Sequence, residues 1–183
     1  MAHQKRTTTE IGTETATVTK EAAVNLKTSI LLLLVGISIV SCDKKRVFDE
    51  YKTVGRAWDK DSTVSFDLPE LDPLKKYNLF VNIRDNDDYK FNNLFLIVSM
   101  EQPKGVVKVD TLEYEMSDPE GNLLGDGFSD IKESKLFYKE NVHFPKGKYK
   151  VNIKQAVRQN GKVSGVDKLE GVTEVGFRIE STN

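Results

Sequence analysis

Cysteine is almost missing from this chain: there is one among 183 residues, so no disulfide can close within it. Histidine is nearly as scarce, at two, and beyond the first few residues only His143 remains. A lone histidine with no second histidine or thiol does not complete a metal-ligand set, and His143, between Val142 and Phe144, reads as a surface or edge residue. Neither sign of charge dominates: 27 basic residues face 28 acidic ones, for a net charge of −1. That balance gives no electrostatic case for nucleic acid, whose backbone demands clustered Lys and Arg. The nucleophile elbow Gly-x-Ser-x-Gly is absent. Gly121, Gly125 and Gly127 have the wrong spacing for a phosphate cradle, and no Lys-Ser/Thr follows them. These gaps leave no supported reaction class. The expectation is a protein that is not an enzyme and needs no cofactor.

Long apolar runs are also few, and the longest is informative. Residues 29–40 read Ser-Ile-Leu-Leu-Leu-Leu-Val-Gly-Ile-Ser-Ile-Val. This is shorter than the roughly 20 residues that a bilayer span takes, but it has the length of a signal-peptide core. Lys27 supplies positive charge before it, and Ile39-Val40-Ser41-Cys42 ends it. An aliphatic residue three before a cysteine and a small residue one before it form a lipobox. The thiol becomes a thioether to diacylglycerol, and cleavage falls just before the modified residue. Cys42 is therefore the expected lipidation site and the first residue of the mature chain, anchored to a membrane. Residues 1–41 form the leader, although its first part, rich in Thr and Glu, is foreign to a signal peptide. Val24 or Leu26 would be a more compact start.

Residues 42–60 are expected to be a lipidated tether. Asp43-Lys44-Lys45-Arg46 reads as a solvated spacer, with headgroup contact as the lesser reading. From residue 61 the pattern is β throughout. Val64-Phe66-Leu68, Tyr77-Leu79-Val81-Ile83, Leu112-Tyr114-Met116, Tyr149-Val151-Ile153 and Val175-Phe177-Ile179 alternate with polar neighbours, the mark of half-buried strands. Residues 94–100 are apolar on both faces and are expected in the middle of a sheet. Turn residues punctuate the strands at Pro69 and Pro73, at Asp118-Pro119-Glu120-Gly121, at Pro145 and Gly147, and at Asn160-Gly161. Seven or eight strands without a helix predict an all-β fold: an antiparallel two-sheet sandwich, jelly-roll-like, over residues 61–183.

Few residues offer chemistry. The acidic loop around Asp85, Asp87 and Asp88 is the best metal candidate, since calcium takes clustered carboxylates. An EF-hand needs Gly where Lys90 stands, so a self-capping polar turn is the favoured reading. No two carboxylates stand out as a glycosidase pair. Tyr51, Trp58 and Tyr89 could stack on sugar rings, as in a glycan-binding lipoprotein of a polysaccharide-uptake system; covering a core edge is the commoner use of such aromatics.

Several short motifs recur in a fixed order along the domain. They are Ile83-Arg84-Asp85 with Tyr89, Asn93-Leu94-Phe95-Leu96, and Asp110-Thr111-Leu112-Glu113. Asp118-Pro119-Glu120-Gly121 and Leu124-Gly125-Asp126-Gly127 follow, then Val142-His143-Phe144-Pro145, Ile153-Lys154-Gln155-Ala156-Val157-Arg158 and Leu169-Glu170-Gly171-Val172. With the lipidation site, they make the chain resemble the GldH family of gliding motility lipoproteins in Bacteroidetes. The resemblance implies a cell-envelope protein needed for gliding, acting with other gliding or secretion proteins of the envelope and without catalytic residues. It also favours the outer membrane over the inner-membrane retention that Asp43 would signal in enterobacteria. Basic residues 44–46 stand where an acidic surface-export run would be, so the periplasmic face is expected.

Overall fold

The computed structural model describes residues 43–127, 130–159 and 161–182, so Cys42 and the leader lie outside the described residues. The described chain is almost all strand: β1 Arg46–Thr53, β2 Ala57–Asp59, β3 Val64–Asp67, β4 Tyr77–Asp85, β5 Asn93–Glu101, β6 Val107–Glu115, β7 Lys132–Val142, β8 Lys150–Gln155, β9 Lys168–Glu170 and β10 Val172–Ser181. A single 3-10 turn, Pro103–Gly105, is the only helical element among the described residues.

Two four-stranded antiparallel sheets run β1-β10-β4-β7 and β3-β8-β5-β6, and β2 and β9 form a separate two-stranded ribbon. Setting the ribbon aside leaves eight strands whose first pairs with the eighth, second with seventh, third with sixth and fourth with fifth. A long hairpin rolled up in this way is the path of a jelly roll. The expected sandwich is thus present, and its topology is the jelly roll itself.

Period-two alternation sorts the residues into layers. From the first sheet Leu79, Val81, Ile83, Val175, Phe177 and Ile179 point inward and are wholly buried. From the second, Phe66, Leu94, Leu96, Val98, Val151 and Ile153 meet them. Phe66 and Phe177 touch across the layers, with ring centroids 6.2 Å apart. Strand β5 lies between β8 and β6, as its apolar run predicts, but only its inner face is buried; outward-facing Ile97 is 37% exposed. At one side of the sandwich the edge strands β6 and β7 are laced together: Tyr138 Oη and Lys139 Nζ both reach Asp110 Oδ2, at 2.7 and 2.6 Å. Lys139 first, then Tyr138, holds the Asp110 carboxyl below the usual carboxylate range.

The domain begins earlier than the sequence indicates. Residues 46–59, assigned to the tether, form β1 and β2 and belong to the folded body. The reason is visible in β1, an edge strand whose inward positions Glu50 and Lys52 are charged. Lys52 Nζ donates to Ser65 O across the sheets at 2.6 Å and lies over the Phe66 ring. Inward charge is a common protection of sheet edges, and it erases the apolar alternation that marks a strand.

Gly171, between β9 and β10, has φ +85°, and a Cβ there would fall 2.1 Å from the backbone N of Tyr89. Gly171→Ala is expected to lower stability by at least about 2 kcal/mol, since backbone strain and overpacking add. Denaturant titration checks this, and a midpoint equal to wild type would refute it.

The connections divide between two poles. Segments 43–46, 68–76, 102–106 and 143–149 share one: Ser181 N donates to Lys45 O, Thr182 N to Lys76 O, and Gly147 abuts Pro103. The chain therefore both enters and leaves the domain at this pole. The described residues of segments 54–63, 86–92, 116–131 and 156–171 gather at the other, where Asn86 N donates to Gly171 O and Met116 N to Asn92 O.

Candidate functional site

The most connected polar feature of the domain is the outer face of the sheet β1-β10-β4-β7. Alternation that sends Val81 and Ile83 inward sends Asn82 and Arg84 outward, and register places Gly176 beside Asn82 and Tyr51 beside Gly176. Having no side chain, Gly176 lets the Tyr51 ring lie flat across the sheet; a Cβ there would come within 2.9 Å of the ring. The Arg84 guanidinium covers the ring's other side at 4.1 Å from the centroid, a cation–π contact. Tyr51 Oη donates to Glu133 Oε1 and accepts from Asn82 Nδ2, both at 2.7 Å. Arg84 bridges Glu133 at 2.9 Å and Glu174 at 2.6 Å.

The same face continues toward the pole where the chain enters. Arg178 pairs with Asp49 at 2.8 Å and with Glu180 at 2.6 Å, and Lys135 also holds Glu180 at 2.6 Å while lying over the Phe80 ring. Burial alone would raise the Glu133 carboxyl, but hydrogen bonds from Tyr51 and Arg84 outweigh it and hold it below the usual range. Burial, then the hydrogen bond to Glu133, pushes the Tyr51 phenol well above its ordinary value. These groups satisfy one another except at Asn82 Oδ1, which is buried without a partner among the described residues. They make a fixed pattern of charge on a stiff sheet, suited to recognising another surface. Tyr51→Phe is expected to cost about 1–2 kcal/mol, because Asn82 and Glu133 each lose a half-buried partner. Unfolding midpoints measure this, and no shift would show the hydroxyl to be idle.

The candidates named from sequence lie elsewhere. Asp85, Asp87 and Asp88 are not brought together. The inward alternation of β4 carries Asp85 into the core, wholly buried, while Asp87 and Asp88 are exposed in the following turn. In that turn Asp88 N donates to Asn86 Oδ1 at 3.1 Å, the self-capping arrangement. Among the described residues no group of three His, Cys, Asp or Glu side chains is placed to hold a metal ion. Among the described residues neither carboxylate oxygen of Asp85 has a hydrogen-bond partner, and burial pushes its carboxyl up to about 7. His143 is exposed just beyond β7.

Nor do the three aromatics form a sugar platform. Trp58 and Tyr89 are core residues, at 0% and 4% exposure, and Tyr51 is sandwiched between Arg84 and Gly176. The outer-face network was missed in the sequence because its members come from four separate strands. The available signal was the alternation of β4 itself, which assigns Asn82 and Arg84 to one face.

Comparison with known proteins gives a consistent result. The model of the family described as GldH lipoprotein matches residues 46–179. A protein named gliding motility lipoprotein GldH, from Flavobacterium johnsoniae, is 69% identical over 155 residues, covering 85% of this chain and 97% of that one. A GldH homolog from Christiangramia forsetii is 58% identical over 144 residues, covering 78% of this chain and 88% of that one. Among solved structures, latent PorU of Porphyromonas gingivalis aligns over 78% of this chain and 14% of its own, at 8% identity and a TM-score of 0.35. The VP2 particle protein of infectious bursal disease virus aligns over 75% of this chain and 30% of its own, at 13% identity and a TM-score of 0.34. Neither structural likeness bears on function.

Proposed function

The chain belongs to the GldH lipoprotein family, and from that premise we propose that it serves as a non-catalytic structural or assembly part of the gliding machinery, anchored by lipid on Cys42 to the periplasmic face of the outer membrane. The observation that carries this reading is the extent of the family match, which runs from the first residue of β1 into β10 and so takes in the whole jelly roll. A shared domain with a shared name supports a shared task. The outer-face network supports the manner of it: its charges are held by hydrogen bonds on a rigid sheet, as in protein–protein recognition, where complementary charge sets register and partner choice.

The test is a clean deletion in a gliding host, complemented with wild type and scored for colony spreading. Deletion is expected to abolish spreading and wild type to restore it. Spreading by the deletion strain would end the motility reading. His143→Ala is expected to leave spreading intact, because no reaction depends on that residue; a non-spreading strain holding normal protein levels would reopen the catalytic question. Density-gradient separation of membranes is expected to place the protein with the outer membrane, and recovery with the inner membrane would overturn that part.

A further inference from the structure

The two poles of the sandwich carry opposite charge. At the pole where the chain enters, segments 43–46, 68–76, 102–106 and 143–149 hold eight basic residues against three acidic ones. At the far pole, segments 54–63, 86–92, 116–131 and 156–171 hold six basic residues against ten acidic ones. In a chain whose net charge is −1, this is a strong separation along one axis.

The basic pole is assembled by folding. Lys75 and Lys76 come from the β3–β4 loop, Lys104 from the β5–β6 turn, and Lys146 and Lys148 from the β7–β8 loop, three places distant in sequence. All five are exposed, and none is in an ion pair among the described residues. At the tip of the β3–β4 loop stands Leu74, 89% exposed, its backbone N held by Asp72 Oδ1 at 2.9 Å. A large apolar side chain held out into solvent beside two lysines has the composition of a membrane-surface contact.

We propose that this pole is a second, non-covalent membrane-docking surface, which seats the domain upright on the anionic phospholipid headgroups of the leaflet that holds its lipid. Charge complementarity identifies the occupant, and the position of the chain start brings the two together. Three residues separate Cys42 from Arg46, a reach over four peptide units of at most about 14 Å. The loop lysines share this pole with Arg46, and headgroup charge reaches them when the tether is drawn in to about the Debye length of 8–10 Å rather than fully extended. Anionic headgroups attract basic clusters, and the exposed Leu74 side chain, next to Lys75 in the same loop, enters the interface with them. Docked in this way, the acidic pole and its long loops point away from the bilayer, and the outer-face network stands perpendicular to it, open to partners from the side. The proposal uses the lipoprotein reading only to locate the bilayer.

The test therefore uses the mature chain, residues 42–183, carrying Cys42→Ser so that no lipid contributes. Flotation is measured with vesicles of phosphatidylcholine alone and of phosphatidylcholine mixed with phosphatidylglycerol. Binding is expected only to the anionic vesicles, and it is expected to fall as salt rises. Reversing Lys75, Lys76, Lys146 and Lys148 to Glu should weaken it by more than about tenfold. Leu74→Asp should weaken it severalfold. Lys162→Glu with Lys168→Glu at the far pole should change it little, and thermal unfolding confirms that each variant is folded. No binding to anionic vesicles, equal binding to neutral ones, or equal loss from reversals at the two poles would overturn the proposal. These outcomes do not depend on lipidation or on gliding, so they leave the family reading to its own test.

Discussion

Cys42→Ala is expected to move the protein from the membrane fraction to the soluble fraction and to abolish gliding. Each buried CH₂ of an acyl chain contributes about 0.8 kcal/mol, so two or more chains hold a protein almost permanently, whereas their loss removes the whole of that term. The apolar leader run of residues 29–40 is too short to substitute as a span. The fold should not suffer, because the jelly roll builds its core from residues 58–179. Circular dichroism of the released protein should therefore match that of wild type. Membranes should be washed at high salt before scoring, since the basic pole is expected to retain a salt-sensitive residue of binding. Intact motility with fully soluble protein would refute both the anchor and its necessity; a variant that stays membrane-bound through the salt wash would refute the anchor alone.

Asp85 should make the domain more stable in mild acid than at neutral pH. Its carboxyl has no solvent exposure and, among the described residues, no hydrogen-bond partner for either oxygen, and burial raises it to about 7. In the unfolded chain it titrates near 3.9. Between those values the folded state holds a proton that the unfolded state has lost, so stability falls as pH rises through the window. The full stabilisation is present below about 4 and is gone above about 7. At 1.36 kcal/mol per unit, the loss amounts to about 4 kcal/mol. The depressed carboxyls of Glu133, Glu180 and Asp110 act in the opposite sense and below this window. Asp85→Asn should flatten the profile between pH 4 and 7 and exceed wild-type stability at pH 8 by about the same amount. Urea titrations of both proteins across that range decide it. Parallel profiles would show that the Asp85 carboxylate finds a partner on ionising.

Both results turn on residues that differ in how openly the sequence declares them. Cys42 is proposed as the lipidation site from a short linear pattern, which needs no fold to be recognised. Strands β3, β4, β8 and β10 are readable because burial of one face imposes a period of two on Val64-Phe66, Tyr77-Leu79-Val81-Ile83, Val151-Ile153 and Val175-Phe177-Ile179. β1 escapes because an edge strand has only part of an inner face, and here Glu50 and Lys52 occupy it. β2 escapes because three residues, with Trp58 alone buried, are too few to show a period. Asp85 is misleading: beside Asp87 and Asp88 it looks like part of an acidic cluster, yet the alternation of its own strand continues one residue farther and turns it into the core.

The all-β class, the two-sheet arrangement and, through the order of its motifs, the family are all written in the linear chain, as is the lipobox pattern from which the anchor at Cys42 is proposed. Each of these depends on neighbours along the chain or on a period that neighbours enforce. The tertiary structure alone decided the rolled pairing of first strand with eighth, the Tyr51–Arg84–Glu133 network, the isolation of Asp85 and the gathering of Lys75, Lys104 and Lys146 at one pole. Those features join residues tens of positions apart. Long-range pairing is set by which surfaces can be buried together, and that is a property of the whole folded chain.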